Sequence, residues 1–169
     1  MSVTNVVRNL RDGQLTIKDA TSGTPQSLTV FLDEGNLNWS QTTRTIVVTD
    51  RGLLSTGHTR KGNEQPLKIS FSAKWTQLIG KSNNPSDALQ LYEFLMFLTG
   101  ANIVSTSSAG EQETLLFEFT ITDPSGTASE KITFGKVFRD TLTMSERNTA
   151  NLISFVGRDF ASSPVIQRV

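Results

Sequence analysis

The residues of this chain that could do acid–base or nucleophilic chemistry are few, and they lie in turns or polar stretches. The sequence has a single histidine, His58, and no cysteine. Its neighbouring carboxylates are Asp33 with Glu34, Glu111 with Glu113, and Asp123 with Glu130. Two carboxylates can serve as acid and base in a glycosidase, at a separation that a sequence does not reveal. Carboxylates in turns are usually solvated, so we expect no catalytic residues, no cofactor and no bound metal.

Composition bounds the class of protein. The 169 residues suit a single domain, 1–169, that is large enough to fold without disulfides. Lysine plus arginine and aspartate plus glutamate both number 16. This balance argues against a strongly basic nucleic-acid-binding surface, and zero net charge favours self-association. Residues 1–10 lack the apolar stretch of a signal peptide, and we expect no membrane insertion because no apolar run is long enough.

Alternation of apolar and polar residues predicts strands along most of the chain. The predicted strands are 14–19, 26–33, 37–49, 66–78, 115–122, a return strand with Ile132 and Phe134, 138–145 and 151–158. Most connections are short, and Asp123-Pro124-Ser125-Gly126 has the residue preferences of a type I turn. We therefore predict a mainly β fold, an antiparallel β-sandwich or partly closed barrel of about eight strands.

One amphipathic segment, at about 85–98, predicts a single flanking α-helix. Asn84 can cap its start, and Pro85 suits the first helical position. Gly100 suits a left-handed residue after its end. The apolar residues that recur at helical spacing predict that this helix covers the core.

Two segments fit no core element. Residues 50–65 are polar and glycine-rich, which predicts a long surface loop, either mobile or functional. Residues 161–169 form a tail whose apolar residues could dock on a neighbour, pack locally or fray. Trp39 and Trp75 could form a sugar-binding platform, although their positions on the apolar strand faces favour core packing.

Several short motifs together resemble the major tail tube proteins of bacteriophages. The motifs are Leu10–Asp19, Gly23–Val30, Glu34–Trp39, Arg51-Gly52, Gly62–Pro66 and Ser70–Ala73. The resemblance implies a β-sandwich that assembles as hexameric rings, stacked into a hollow tube through which DNA passes into the host. It implies a structural virion protein of the tail, with a role in self-assembly and genome ejection, that is assembled in the host cytoplasm.

The resemblance also implies roles for particular segments. Loop 50–65 would contact the adjacent ring, as would the N-terminal arm 1–9 and the tail 161–169. The candidate ring-contact residues of the loop are Arg51, Leu53, Leu54, His58, Arg60, Lys61 and Glu64, and those of the tail are Val165, Ile166 and Val169. The candidate residues that face the lumen are Asn38, Ser40, Lys68, Ser70, Ser72 and Lys74. Lys68 and Lys74 depart from a purely acidic lining, so which strands face the lumen stays open.

The implied partners are further copies of this chain and other tail proteins, namely a tape measure, terminator, baseplate or sheath protein. DNA would cross the lumen without specific binding. Three alternatives stay open: a terminator or baseplate ring protein, a carbohydrate-binding or adhesin β-sandwich, and a small β-rich hydrolase. The sequence does not distinguish a contractile from a non-contractile tail.

Overall fold

The computed structural model describes residues 13–33, 36–50, 53–75, 90–98, 102–123, 128–161 and 164–168. Within these residues the chain forms ten strands and one helix. The strands are β1 (Gly13–Lys18), β2 (Ser27–Val30), β3 (Asn38–Ser40), β4 (Thr45–Asp50), β5 (Leu53–Lys61), β6 (Leu67–Lys74), β7 (Thr114–Thr122), β8 (Ser129–Ser145), β9 (Leu152–Asp159) and β10 (Val165–Arg168). The helix is α1 (Leu91–Met96).

The mainly β, antiparallel fold predicted from the alternation is confirmed. One sheet of eight strands has the order β2-β1-β7-β8-β9-β6-β3, with β10 paired to β8 beside this path. The predicted β1–β2 and β7–β8 hairpins are both present. The turn predicted between β7 and β8 falls largely on residues 124–127, which lie outside the described part of the chain.

The main sheet curls until its two ends approach each other. The chain that leaves β2 runs beside β6, where Leu32 bridges to Ala73. Two backbone hydrogen bonds of 2.8 Å hold this contact, from Lys74 N to Phe31 O and from Asp33 N to Ser72 O. The result is a partly closed sandwich, as predicted, whose two layers enclose one apolar core.

Three phenylalanines from three strands form the centre of that core. The Phe71 and Phe155 rings stack at 5.1 Å, and the Phe117 ring lies 5.4 Å from Phe155. The side chains of all three are at most 3% exposed. They occupy the apolar positions of the alternation in β6, β7 and β9, which explains why the sequence pattern identified these strands.

The prediction of a single strand at 37–49 is wrong, because this segment forms two strands that belong to different sheets. β3 pairs with β6, whereas β4 pairs with β5 in a separate two-stranded sheet. Residues 41–44 are exposed and lie between them. The polar residues 41–43 suggested a bulge within one strand, but alternation reports which residues can be extended and not which strand each one pairs with.

The long loop predicted at 50–65 is also wrong over much of its length, since β5 occupies residues 53–61. It pairs with β4 from Thr45 opposite Lys61 to Asp50 opposite Leu53, with one irregularity between Val48 and Asp50. We call β4 and β5 together the hairpin. Because the hairpin stands apart from the main sheet, β5 needs no apolar face toward the core, and its polar composition resembled that of a loop.

The segments predicted as a return strand and as 138–145 are one strand, β8, of 17 residues. Its register shifts opposite Leu115–Phe117 of β7 and again between Arg139 and Thr141 along β9. These two bulges bend the strand, so β8 can belong to both layers of the sandwich.

The described helix is shorter than the predicted 85–98. Gln90 N donates to Glu93 Oε2 at 2.8 Å at its start, and Phe97 ends it in the left-handed conformation with φ of 50°. Arg139 Nη1 donates to Leu95 O at 3.2 Å, which satisfies a carbonyl at the helix end. Residues 84–89 and Gly100 lie outside the described residues, so the predicted start stays a prediction. Within the described chain no helix is long and apolar enough to cross a membrane.

Candidate functional site

The six candidate lumen residues lie on one face of the main sheet. Residues on β3 and β6 alternate between the core and this face, and the six residues all take the side away from the core. Asn38 lies opposite Ser70, and Ser40 lies opposite Lys68. Their neighbours Ile69 and Phe71 are 1% and 3% exposed on the core side. We call the side away from the core, on strands β3, β6, β9 and the second half of β8, the polar face.

Hydroxyl groups continue the polar face across β9 and β8. Ser72 is opposite Ser154, and Ser154 is opposite Thr143. The hydroxyl oxygens of Ser72 and Ser154 lie 3.1 Å apart, and Asn36 Oδ1 accepts a hydrogen bond from Ser72 N at 2.8 Å. Short hydroxyl side chains that hydrogen-bond to one another give a wet, smooth surface.

The charges of the polar face are few, and two of them neutralise each other. Lys68 and Lys74 are exposed. Arg158, opposite Lys68 across the β6–β9 pair, makes a bidentate ion pair with Asp140. The hydrogen bonds that Arg158 donates to Asp140, together with the charge of Asp140, raise the pKa of Arg158 above its already high ordinary value. The polar face is therefore lined mainly by hydroxyl groups and is mildly basic, and the 46% exposed side chain of Val156, opposite Ser70, is an apolar member of it.

The four strands of the polar face end in two open edges. β7 pairs with β8 only as far as Phe138, where it meets Thr114, and β9 takes the opposite edge of β8 from Val137 onward. Among the described residues, no strand pairs with the β7-side edge of β8 beyond Phe138, or with the edge of β3 that faces away from β6. Unpaired backbone groups in such edges are templates for pairing with another chain.

The hairpin carries five of the seven ring-contact residues predicted for segment 50–65. Leu53, Leu54, His58 and Lys61 lie on β5, where their backbones alone are described, and Arg60 and Glu64 are exposed. Arg51 lies outside the described residues. Ile46 and Val47 on β4 are 55% and 58% exposed. As neighbours on a strand, they point to opposite faces, so both faces of the hairpin expose a β-branched apolar side chain.

The C-terminal tail forms a strand, which the sequence did not predict. β10 pairs with β8 in the register Val165 opposite Thr133 to Arg168 opposite Glu130. Val165 and Ile166 are 54% and 61% exposed, and Val169 lies outside the described residues. The docking of this tail on its own chain was one of the three outcomes left open by the sequence.

Two buried carboxylates hold loops rather than line a site. Burial alone would raise the pKa of Asp19, but hydrogen bonds from the Thr21 hydroxyl and from the backbone N–H groups of Val104, Thr21 and Gln26 bring it below the usual value. Asp159 is fully buried, and this burial raises its pKa despite hydrogen bonds from the N–H groups of Ala161, Lys136 and Gly135.

The residues weighed for chemistry do not converge. His58 lies on the hairpin, and Glu111 Oε2 accepts a hydrogen bond from Ser108 N within its own loop. A cavity between α1, β7 and β8 has a volume of about 50 Å³. Small-molecule sites are usually about 300–1,000 Å³. Among the described residues, no group of three or more His, Asp or Glu side chains could hold a metal ion.

The two tryptophans pack separately against aromatic neighbours. Trp39 lies 6.0 Å from the Phe119 ring and 5.8 Å from the Phe134 ring, although 37% of it stays exposed. Trp75 meets Tyr92 edge-on at 5.6 Å. This arrangement agrees with the packing role predicted for both residues.

Sequence reasoning missed three features of this surface. Asp140 and Arg158 are 18 positions apart and meet through the pairing of β8 with β9. Ile46 and Val47 were assigned to the strand predicted at 37–49 without any sign of their exposure, and Phe160, 54% exposed beside Arg158, was assigned to no element. The run Ile46-Val47-Val48 followed by a glycine-rich polar stretch was a usable signal for a hairpin.

No protein-family model matches this sequence, and no curated protein matches it significantly. Solved structures do match its fold. A chain of the PVC sheath–tube complex, an extracellular contractile injection system in the extended state, has a TM-score of 0.59 at 12% identity, with 98% of this chain and 94% of that chain covered. A chain of the PVC sheath/tube terminator in the extended state has a TM-score of 0.57 at 12% identity, and the match covers 99% of this chain and 98% of that chain.

A third chain comes from the six-fold symmetrised baseplate of the anti-feeding prophage. It has a TM-score of 0.56 at 9% identity, and the match covers 100% of this chain and 97% of that chain. All three matches span nearly the whole of both chains, and their TM-scores show a shared fold. This chain has the fold found in the sheath–tube, terminator and baseplate assemblies of contractile injection systems and related prophage particles.

Proposed function

We propose that this protein is a tail tube subunit, a non-enzymatic building block that assembles as hexameric rings stacked into a hollow tube. The observation that carries the proposal is the polar face with its two open edges. Four strands present one hydroxyl-lined surface, and the strands at both ends keep an edge without a partner among the described residues. The shared fold with sheath–tube and baseplate chains supports the same conclusion.

Ring closure follows from those edges. The open edge of β8 at 139–145 and the outer edge of β3 lie at opposite ends of one curved sheet. A copy that pairs its β3 edge with the β8 edge of the next copy makes a head-to-tail contact, and such contacts close into a ring when the rotation permits. Closure satisfies both of these edges, as it does in a barrel, and turns the polar face toward the bore.

Stacking is proposed for the hairpin, with the N-terminal arm and the tail as further contacts. A two-stranded hairpin with apolar residues on both faces is only marginally stable alone in water. Ile46 and Val47 would lose their exposure between two rings. Arg60, the other candidates on the hairpin and Glu64, which follows it, would surround that contact. The proposed function of the hairpin is therefore to bury these two apolar side chains between rings, with its polar residues at the margin of the contact.

DNA is the polymer proposed to cross the bore, on its way into the host. Two exposed lysines and one neutralised arginine per subunit give weak, salt-dependent attraction rather than specific binding. The proposed location is the tail of a virion or virion-like particle assembled in the bacterial cytoplasm, with sheath, baseplate, tape measure or terminator proteins as partners.

The hairpin offers a direct test of this proposal. Gly62 N donates to Arg44 O at 2.7 Å, so the two ends of the hairpin are already within turn distance. Replacement of residues 45–61 by Asn-Gly should leave the main sheet folded, because the hairpin forms a sheet of its own. We expect wild-type protein at high concentration to form tubes in negative-stain micrographs, and the variant to form rings that do not stack.

A matched control keeps the hairpin and changes only its apolar side chains. I46T/V47T retains β-branched residues, so we expect a normal circular dichroism spectrum and a higher critical concentration for tube formation. Tubes of normal length from the hairpin-replaced variant would contradict the stacking role. Wild-type protein that stays monomeric at high concentration would contradict the proposed function as a whole.

A terminator or baseplate ring protein is the second candidate, because a terminator chain and a baseplate chain match the fold almost as well as the sheath–tube chain does. Such a protein would form one ring and stop. Single rings from the wild-type protein at every concentration, in the same micrographs, would favour this candidate.

A further inference from the structure

The tail strand β10 and the strand β9 lie end to end along the same edge of β8. β7 pairs with Glu130–Thr133 of β8 on one edge, so β10, which pairs with the same residues, must take the other edge. β9 pairs with β8 from Val137 onward, also opposite β7. Where β9 ends, β10 therefore continues the same line and completes the coverage of that edge.

The two strands are held very differently. Every second residue of β9 from Ile153 to Asp159 is buried, and Ile153 and Phe155 belong to the apolar core, whereas all four residues of β10 are exposed. Val165 and Ile166 leave more than half of their surfaces in water. β10 is held mainly by its backbone ladder with β8, and segments with few buried apolar contacts open at low free energy.

The chain is anchored just before β10, so the tail can leave without loss of β9. Asp159 Oδ1 accepts hydrogen bonds from Lys136 N and Ala161 N, both at 3.0 Å. Phe160 N donates to Lys136 O at 3.0 Å. These contacts fix the path as far as Ala161, and none of them involves residues 164–168.

Departure of β10 would uncover an edge that a second copy fits. The uncovered residues, Glu130–Thr133, include β-branched Ile132 and Thr133, which favour strand pairing. The β10 of another copy has the same sequence and makes the same register. Exchange of an identical element between copies replaces every lost contact with an equal one, at low free-energy cost.

We propose that β10 is an exchangeable strand: it covers the β8 edge of its own chain in the free subunit and pairs with the β8 edge of a neighbouring subunit in the assembly. This inference rests on the proposed tube function and names a second copy of this chain as the partner of the tail. Exchange would also place Val165 and Ile166 against a neighbour, where their apolar surfaces leave water.

A cysteine pair tests the exchange, because the chain has no cysteine of its own. Thr133 and Val165 are directly opposite each other. Cα atoms of opposed residues in antiparallel strands are about 4.5–5.5 Å apart, within reach of a disulfide. In T133C/V165C oxidised as free subunits, we expect a monomeric internal disulfide and at least about tenfold less assembly, a coupling of about 1.4 kcal/mol.

The same variant assembled under reducing conditions and oxidised afterwards should give a ladder of covalent multimers on a non-reducing gel. V165C alone, treated identically, is the control for random thiol contacts. Assemblies that contain only internal disulfides, or normal assembly of the internally locked subunit, would overturn the exchange and leave the tube proposal standing. A wild-type chain that never assembles would contradict both the strand exchange and the tube proposal.

Hydrogen exchange on the wild-type protein keeps the test independent of the cysteine variant. We expect the amides of 165–168 to exchange at least about tenfold faster than those of β9 in the free subunit, and to slow markedly in the assembly. Protection of β10 equal to that of β9 in the free subunit would contradict a strand poised to leave.

Discussion

Arg158 of β9 donates hydrogen bonds to Asp140 of β8, from Nε to Oδ2 at 2.8 Å and from Nη2 to Oδ1 at 2.5 Å. The pair lies on the polar face, beside Lys68. The bulge between Arg139 and Thr141 brings Asp140 to this position. Without that bulge, the face would carry an arginine that its neighbours do not neutralise.

D140N should therefore make the polar face more basic. We expect the affinity for a short DNA oligonucleotide, measured by fluorescence anisotropy, to rise, and the slope of log affinity against log salt to steepen by about one unit. The stability should change by less than about 1 kcal/mol, because exposed ion pairs contribute little.

Two matched variants control this experiment. K68Q/D140N restores the original charge of the face and should restore the wild-type affinity. E118Q removes the carboxylate of Glu118 on β7, which lies near Lys18 and Lys131 and away from the polar face. An increase in DNA affinity for E118Q equal to that for D140N would contradict a special role of the polar face.

Asp19 should stabilise the fold above its unfolded-state pKa. Its folded pKa is lowered, so its contribution is present above a pH near 3.8 and is lost as pH falls through the folded pKa. D19N removes the charge of the carboxylate, which accepts hydrogen bonds from the backbone N–H groups of Gln26 and Val104. We expect it to lower the free energy of unfolding in urea by about 1–3 kcal/mol at pH 7.

The difference between wild type and D19N should shrink as the pH falls toward the folded pKa, because protonation removes the same charge. D33N, a substitution of a carboxylate in the turn after β2, serves as a control and should have a smaller effect at pH 7. A D19N deficit that stays constant from pH 7 to pH 2.5 would show that the charge of Asp19 is not what stabilises the loop.

Asp159 should show the opposite pH dependence. Burial raises its folded pKa, so its contribution is fully present below the unfolded-state pKa and is lost as pH rises through the folded pKa. Asp159 Oδ2 is buried and has no hydrogen-bond partner within the described part of the chain, which makes the ionised form costly. In D159N this dependence disappears, so the unfolding free energy of D159N minus that of wild type should rise with pH.

Urea unfolding at a series of pH values, from about 3 to 8, measures that difference. D159A is the companion variant, because it also loses the hydrogen bonds to Lys136 and Ala161 and should be less stable than wild type at every pH. A difference curve for D159N that is flat or falls with pH would contradict the assigned role of burial.

Gly157 should tolerate no side chain. A Cβ at this position would lie 2.7 Å from Phe155 Cζ and closer still to the Phe138 carbonyl oxygen, which belongs to the backbone of β8. G157A should therefore lower the free energy of unfolding by about 1–3 kcal/mol or more, since β8 must move.

G135A is the matched control for this substitution. Among the described residues, a Cβ on Gly135 would meet only Ala161 Cβ, at 3.6 Å, an ordinary van der Waals distance. We expect it to change the unfolding free energy by less than about 1 kcal/mol. Equal losses in G157A and G135A would mean that β-strand flexibility, rather than the close approach of β8, sets the requirement at Gly157.

The sequence by itself determined the strands that face the core. Ile69, Phe71 and Ala73 alternate with lysine and serine because one face of β6 is buried and the other is wet, and burial leaves a period of two in the sequence. The same alternation placed all six lumen candidates on one face. The motifs of the resemblance also led to the fold that the solved assemblies share.

Only the tertiary structure decided which distant strands pair and which edges stay open. Composition does not record the partner of a strand, so the sequence did not show that β3 and β4 belong to different sheets or that the tail pairs with β8. Asp140 meets Arg158, and Asp159 anchors the path to β10, through bulges and pairing between distant segments. Side-chain periodicity reflects burial, whereas assembly depends on backbone groups, which every residue carries alike.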